Sequence, residues 1–193
     1  DGIRDVAVTG VQTCALPIYN DVLDNVRKAV RSKLNCVPKG IVHVFENSLF
    51  TGGAITRIVQ DNILPQSDFD FILTARNLNI VKDYCENNSI RCNSNYIPEI
   101  AFYENISIQL LCVREDLLND VPEGDFLDTI AYYDVSKDKL FLTQEQYECM
   151  IHKKMVSTQF WETKKNKFRI NRRLRSGWTT TDQKILEEIY EMR

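Results

Sequence analysis

Apolar and polar positions follow two different periods along the chain. From Val22 to Leu34 every fourth residue is apolar, which is the spacing of a helix with one buried face. Helical spacing predicts helices over Asn20–Leu34, Ala54–Asn62, Arg76–Asn88, Gln144–Val156 and Glu162–Arg175, and from Thr181 to the end of the chain. Runs rich in β-branched and aromatic residues predict strands over Ile41–Phe50, Asp68–Leu73, Ile100–Tyr103, Ile106–Val113, Phe126–Tyr133 and Lys139–Leu142. Asp21 and Thr181 are the predicted N-caps of the first and last helices.

This order of elements predicts the fold class. Helices and strands alternate through the first part of the chain, and everything after Thr143 is predicted to be helical. We therefore expect an α+β fold with a mixed β-sheet, flanking helices and a C-terminal helical segment.

The first 18 residues do not share these patterns. Asp1–Ile18 contains one basic residue, Arg4, and its apolar residues are interrupted by Gly10 and Gln12, unlike those of a signal peptide. Val8–Ile18 agrees codon by codon with a conceptual translation of a common short-read sequencing adapter. We expect this stretch to be an artefact of an assembled metagenome, and we exclude it from functional reasoning.

Charge is distributed unevenly. The formal net charge is −3, yet Lys153–Arg175 contains 9 basic residues and one acidic residue, whereas Tyr19–His152 contains 12 basic and 20 acidic residues. An acidic body with one basic segment predicts a local site for a polyanion such as RNA. The remaining cysteines are odd in number and lack metal-ligand spacing, and no apolar run reaches the roughly 20 residues of a membrane span. We expect a cytoplasmic protein with reduced thiols and no membrane partner.

The range Phe50–Leu73 carries the residues best suited to chemistry. Gly52 and Gly53 follow a predicted strand and open a predicted helix, where the backbone can approach a phosphate closely. Asp68 and Asp70 are two residues apart on a predicted strand, so both carboxylates face the same side. Neighbouring carboxylates repel each other unless a cation lies between them, and oxygen ligands of this kind favour Mg²⁺ or Mn²⁺. A Gly-Gly pair alone, or an Asp-x-Asp pair alone, more often has a structural role. The two together favour a functional site.

The combination resembles the signature of the polymerase-β-like nucleotidyltransferases, especially the head of tRNA nucleotidyltransferases and poly(A) polymerases. The resemblance implies an enzyme that transfers a nucleoside monophosphate from an NTP to an acceptor hydroxyl and releases pyrophosphate. It also implies that Gly52 and Gly53 contact the triphosphate, and that Asp68 and Asp70 hold the metal ions. Candidate acceptors are the 3′ end of an RNA or tRNA, a protein side chain and a small molecule.

The sequence departs from the tRNA-type pattern directly after the glycines. Thr56 and Arg57 stand where that pattern has Arg-Asp, which argues against CCA addition. The later stretches ISIQLLCVRE, GDFLDTIAYYD and FRINRRLRSGW resemble small nucleotidyltransferases of phages and large DNA viruses. This second resemblance implies a nucleotidyltransferase of another specificity.

A two-metal site of this family needs a third carboxylate from a later strand. Alignment of the Tyr-Asp pair at 133–134 with the viral proteins places this carboxylate at Asp125. Asp128 is the second choice, and Glu104 and Gln109 rank below it. A loop aspartate without a catalytic role is the alternative interpretation of Asp125.

The basic helix near the C-terminus is the other candidate for ligand contact. Arg169, Arg172 and Arg173 are expected to contact the triphosphate or an RNA backbone, because guanidinium groups bind phosphate oxygens in pairs. A docking helix with a solvated basic face explains the same pattern. We predict a catalytic domain over residues 19–143 and a helical segment over 144–193. An inactive nucleotide- or RNA-binding module of this fold and a plain interaction domain stay open as alternatives.

Overall fold

The computed structural model describes residues 17–61, 69–90, 92–93, 99–101, 107–113, 124–159, 161 and 166–192. The helices in these ranges are α1 (Pro17–Leu34), α2 (Val42–Glu46), α3 (Gly53–Val59), α4 (Ala75–Asn87), α5 (Gln144–Ile151), α6 (Lys167–Arg175) and α7 (Gln183–Glu191). The strands are β1 (Leu49–Thr51), β2 (Phe69–Thr74), β3 (Cys92–Asn93), β4 (Glu99–Ala101), β5 (Ser107–Val113), β6 (Tyr132–Asp134), β7 (Lys139–Phe141), β8 (Lys154–Met155) and β9 (Thr179–Thr180). A 3₁₀ helix spans Leu127–Ile130.

Seven of the described strands form one sheet in the order β3-β4-β5-β2-β1-β6-β7. β2 and β5 are parallel, and the other neighbouring strands are antiparallel. The sheet is therefore mixed, and the predicted α+β fold is confirmed. β1 and β2 are inner strands, so the turn that follows β1 and the carboxylate on β2 lie away from the sheet edges.

The main core lies between the sheet and the helices α1 to α4. Phe50 on β1 and Phe71 on β2 are fully buried, with ring centroids 5.6 Å apart, and Phe45 on α2 packs edge-on against Phe71 at 5.4 Å. On α1 the predicted apolar stripe is confirmed, because each of its members from Val22 to Leu34 is buried. Burial of each large apolar side chain contributes about 1.5–3 kcal/mol, which fixes both layers against each other.

A second core lies in the C-terminal part of the chain. We use this name for the cluster formed by Phe126, Met155, Ile170, Trp178 and Ile185. Its first member comes from the segment before the 3₁₀ helix, and the Leu127 amide binds the Val156 carbonyl at 2.9 Å. Because Met150 on α5 belongs to the main core, the two cores interleave along the chain around residues 126–155.

The prediction of one strand over Ile41–Phe50 is wrong for most of that range. Residues 42–46 form α2, and β1 begins only at Leu49. Ile41, Val44 and Phe45 are buried at helical spacing, and the amides of Ile41 and Val42 both donate to the Pro38 carbonyl. A short apolar run cannot by itself distinguish a buried strand from a buried helical turn.

The prediction of an entirely helical C-terminal segment is also wrong. The predicted helix over Gln144–Val156 ends at Ile151, and β8 pairs in parallel with β9. The predicted strand over Phe126–Tyr133 is replaced by an isolated bridge to Ser157, the 3₁₀ helix and β6.

Both predicted N-caps are wrong. α1 spans Pro17–Leu34, so Asp21 lies inside the helix. The cap of α7 is Asp182 instead of Thr181, because its carboxylate accepts hydrogen bonds from the amides of Lys184 and Ile185.

Two further features of the described residues concern membrane crossing and the cysteines. None of the helices in the described ranges has the combination of length and hydropathy that a membrane crossing requires. Among the described residues, Cys36, Cys85 and Cys149 are free cysteines.

Candidate functional site

Gly52 forms a turn that only glycine can adopt. Its backbone angles are φ 85° and ψ −165°, a region closed to residues with a side chain. The preceding residue, Thr51, is paired with Asp70 across β1 and β2, so Gly52 lies directly beside that carboxylate. A β-carbon at Gly52 would lie 3.1 Å from Cγ and 3.4 Å from Cβ of Asp70, and closer still to Oδ2. The glycine therefore allows the backbone and the carboxylate to share one small space.

Gly53 lies in a different environment, although it is the next residue. It is the first residue of α3, and a β-carbon there would meet no atom within 4 Å. The amide groups of a first helical turn have no partners within their own helix. The two glycines thus form a turn with one packed side, next to Asp70, and one open side.

Asp70 has the orientation that the sequence predicts. Phe69 and Phe71 are buried in the main core and pack against Phe50, and strand alternation points Asp70 to the opposite face. Asp70 is half-buried there. Asp68, the other predicted metal ligand, lies outside the described residues. In the part of the chain that the structure describes, no three His, Cys, Asp or Glu residues come together as metal ligands.

The sheet register identifies which later strand adjoins Asp70. β5 is parallel to β2, and Gln109 is the register partner of Asp70. The position that adjoins the predicted metal site on that strand therefore has an amide residue. Glu104, the other low-ranked candidate for a third carboxylate, lies outside the described residues.

Asp125 and Asp128, the two higher-ranked candidates, each bind an arginine of α6. Asp125 forms an ion pair with Arg169, and the two side chains are 19% and 57% exposed. Asp128 is fully buried and binds Arg173 through two hydrogen bonds, 2.8 Å from Nη1 to Oδ1 and 2.9 Å from Nη2 to Oδ2. Oδ2 of Asp128 also accepts a hydrogen bond of 3.0 Å from Thr56 Oγ1. The Asp125 carboxylate is therefore the more accessible of the two.

The three predicted phosphate-binding arginines lie in two different environments. The Arg173 guanidinium carbon lies between two aromatic rings, 4.1 Å from the centroid of Phe126 and 4.2 Å from that of Trp178. Arg169 reaches Asp125, as described above. Arg172 is exposed on the outer side of α6 and forms no ion pair with another described residue. The helix therefore directs Arg173 toward the protein and Arg172 toward solvent.

Arg172 belongs to a stripe of exposed residues that we call the outer face of α6. Phe168, Arg172 and Arg175 are separated by four and three positions, so they lie on the same side of the helix. Phe168 is 76% exposed, which is unusual for a phenylalanine, and Arg175 also forms no ion pair with another described residue. The sequence does not indicate this exposure, because Phe168 alternates with basic residues in the same way as the buried Ile170.

Thr56 lies near the site, and its sequence context did not indicate that its side chain takes part in the contacts there. Its hydroxyl joins α3 to Asp128, and the residue is 4% exposed. The available signal was the departure from the tRNA-type motif, because Thr56 stands where that motif has arginine. In this chain the Thr56 hydroxyl is joined to Arg173 of α6 through the Asp128 carboxylate.

Solved structures of similar fold were found at low sequence identity. A CCA-adding enzyme in complex with ATP superposes with a TM-score of 0.58 at 14% identity, over 83% of this chain and 46% of that one. The Thermotoga maritima CCA-adding enzyme complexed with tRNA gives 0.56 at 13% identity, over 84% and 45%. A tRNA nucleotidyltransferase complexed with a primer tRNA and an incoming ATP analogue gives 0.53 at 11% identity, over 75% and 46%.

These likenesses establish the fold. The chain spans less than half the length of each of these structures. No protein-family model matches the sequence, and no curated protein matches it. The likeness is one of fold alone, because the sequence identities do not exceed 14%.

Proposed function

We propose that the chain is a metal-dependent nucleotidyltransferase that moves a nucleoside monophosphate from an NTP to an acceptor hydroxyl, such as the 3′ end of an RNA. The observation that carries this proposal is the contact between Gly52 and Asp70 at the start of α3. It places the open side of Gly53 next to a carboxylate. The same fold occurs in enzymes that were solved with ATP, CTP and tRNA.

The residues present suit a bound divalent cation. Asp70 is half-buried on the face opposite the main core, and Asp68 precedes it by two positions in the sequence. Asp68 and Asp70 would hold Mg²⁺ or Mn²⁺, because these ions prefer carboxylate oxygens. The bound ion would neutralise the triphosphate and favour departure of pyrophosphate.

The chain's own contribution is to position the reactants. The backbone of Gly52 and Gly53 would bind the β- and γ-phosphates, with the open side of Gly53 giving room for their oxygens. This would orient the α-phosphate for in-line attack by the acceptor hydroxyl. Positioning and charge neutralisation account for most of the catalysis in phosphoryl transfer, and no covalent enzyme intermediate is needed.

Asp125 is the proposed third carboxylate, since Asp128 is committed to Arg173 and Thr56. It is partly exposed, and its pairing with the exposed Arg169 is of the kind that contributes little to stability. Replacement of the Arg169 guanidinium by a metal ion at Asp125 would therefore cost little free energy.

A second candidate function is an inactive nucleotide- or RNA-binding module of the same fold. The register partnership of Asp70 with Gln109 favours it, because no carboxylate occupies that position on β5. Such a module would bind an NTP without transferring it.

The outer face of α6 is the proposed contact for the acceptor. The guanidinium groups of Arg172 and Arg175 form no ion pair with another described residue, and Phe168 adds an exposed aromatic ring to the same face. Single-stranded nucleic acid presents phosphates and unstacked bases, which such a combination binds. Of the three predicted arginines, Arg172 is thus the one proposed for backbone contact.

The function is tested with the 193-residue chain, Mg²⁺, each NTP labelled at the α-phosphate, and bulk RNA. Label transferred to RNA by the wild type and lost in Asp70→Asn would support the transferase. NTP binding that depends on Asp70, without transfer to RNA, would support the inactive module or a different acceptor. Absence of both binding and transfer would exclude the enzyme and leave the fold as a scaffold.

A further inference from the structure

Asp128 connects the glycine helix to the C-terminal part of the chain. Its carboxylate, which is 0% exposed, binds Arg173 of α6 through both oxygens and also accepts the Thr56 hydroxyl of α3. Thr56 lies three positions after Gly53, in a helix of 7 residues. One buried carboxylate therefore links α6 with the helix that begins beside Asp70.

The α6 side of this link is rigid. The Arg173 guanidinium is held between the rings of Phe126 and Trp178, and both rings belong to the second core. Its side chain is 13% exposed. A planar cation with two ring faces and two carboxylate hydrogen bonds has little freedom to rotate, because any rotation breaks several contacts at once.

On the α3 side of the link, the position of Thr56 determines the positions of the two glycines. A two-turn helix moves as one body, so a displacement of Thr56 also displaces Gly52 and Gly53. Gly52 in turn has no free space against Asp70, as the close approach to Cγ of that residue indicates. A displacement of Thr56 would therefore change the position of the open side of Gly53 relative to Asp70.

We infer that Thr56, Asp128 and Arg173 are positioning residues that hold the Gly52–Gly53 turn in register with Asp70, so that the second core forms part of the nucleotide site. This inference rests on the proposed function for its effect on NTP, but the mechanical link itself does not. Stability alone is a weak explanation for the arrangement, because well-packed apolar residues often replace a buried ion pair without loss of stability.

The most selective test removes the Thr56 hydroxyl and leaves the ion pair intact. Thr56→Val preserves shape, and Thr56→Ser preserves the hydroxyl as the conservative control. Thr180→Val is the matched control, because Thr180 is not a member of the second core and its Oγ1 likewise donates a hydrogen bond, to the Met155 carbonyl at 2.9 Å. Amide hydrogen exchange of α3 and binding of MgATP are measured in the full chain for all four proteins.

We expect Thr56→Val to accelerate exchange of the α3 amides while those of β1 and β2 stay protected. It should also weaken MgATP binding between about tenfold and a hundredfold, because misplacement by about 1 Å has effects of this size. Thr56→Ser should restore both properties, and Thr180→Val should change neither. The KM for ATP should rise in Thr56→Val more than kcat falls.

Two outcomes would overturn the inference. One is unchanged exchange in α3 of Thr56→Val, which would show that the hydroxyl does not hold the helix. The other is accelerated exchange with unchanged ATP binding, which would show a link without influence on the site. If the wild type binds no ATP while α3 exchange still depends on the hydroxyl, the proposed function fails and the mechanical link stands.

Discussion

Gly52 and Asp70 occupy adjoining space so tightly that a single added carbon on the glycine would come within 3.1 Å of the aspartate Cγ. The contact arises from the antiparallel register of β1 and β2, which places Thr51 opposite Asp70. The positive φ of Gly52 then turns the chain into α3 across the carboxylate. The turn and the carboxylate are therefore one structural unit, and they should respond together to substitution.

Gly52→Ala should destabilise the protein. The alanine would have to adopt a glycine-only backbone conformation, which costs about 1–3 kcal/mol, and would also displace Asp70. We expect a lower midpoint in urea denaturation followed by circular dichroism, and loss of NTP binding. An unchanged midpoint would contradict the described turn.

Gly53→Ala should not destabilise the protein, so it is the matched control for Gly52→Ala. Its β-carbon would meet no atom within 4 Å, and alanine is favoured over glycine in a helix by about 1 kcal/mol. We expect equal or higher stability in the same denaturation experiment. If phosphates occupy the open side, NTP binding should weaken despite the retained fold, as measured by titration calorimetry. Unweakened binding would place the triphosphate elsewhere.

Substitution of Asp128 should mainly reduce stability, whereas substitution of Asp125 should mainly reduce activity. Removal of the Asp128 carboxylate leaves Arg173 uncompensated in a buried site, so Asp128→Ala should cost about 3–5 kcal/mol of unfolding free energy. Asp125→Ala breaks an exposed pair and should cost about 0–1 kcal/mol. Under the proposed function, Asp125→Ala should nonetheless abolish transfer. A stable, fully active Asp125→Ala variant would remove Asp125 from the site.

The outer face of α6 should determine the salt dependence of RNA binding. Each phosphate contact adds about 0.7 to the slope of log K against log salt for single strands, so Arg172→Gln should lower the slope by about that amount. Arg76→Gln, at an exposed position in the first turn of α4, is the charge-matched control. Fluorescence anisotropy with labelled single-stranded RNA measures the slope. Equal slopes in both variants would exclude Arg172 from the interface.

Local patterns made part of this structure predictable from the sequence. The stripe from Val22 to Leu34 predicted α1, because helical spacing is a property of neighbouring residues alone. The Gly-Gly turn and the strand that carries Asp70 were predictable for the same reason, since backbone freedom and strand alternation are local. The α+β fold followed from the order of these elements.

The contacts that assemble the site were not predictable, because they join distant positions. Arg173 and Asp128 are 45 residues apart, and nothing in either local sequence indicates that they pair. The partnership of β8 with β9 is likewise formed between strands of 2 residues that have no periodicity of their own. The sequence of a basic helix does not distinguish exposed arginines from buried ones, and only the fold separates the exposed Arg172 from the partly buried Arg173.

The stability of the protein at alkaline pH should depend on the Tyr133 hydroxyl. Burial and the hydrogen bond to Asp138, 2.5 Å from the hydroxyl to Oδ1, raise the Tyr133 pKa from 10.0 to about 12. Because the folded pKa exceeds the unfolded one, this residue's contribution is fully present below pH 10 and is lost as pH rises toward 12. Tyr133→Phe should cost about 1 kcal/mol at neutral pH, through the lost hydrogen bond, and should show a shallower loss of stability above pH 10 than the wild type. Urea denaturation at a series of pH values measures both effects, and parallel profiles for the two proteins would show that Tyr133 does not titrate in this way.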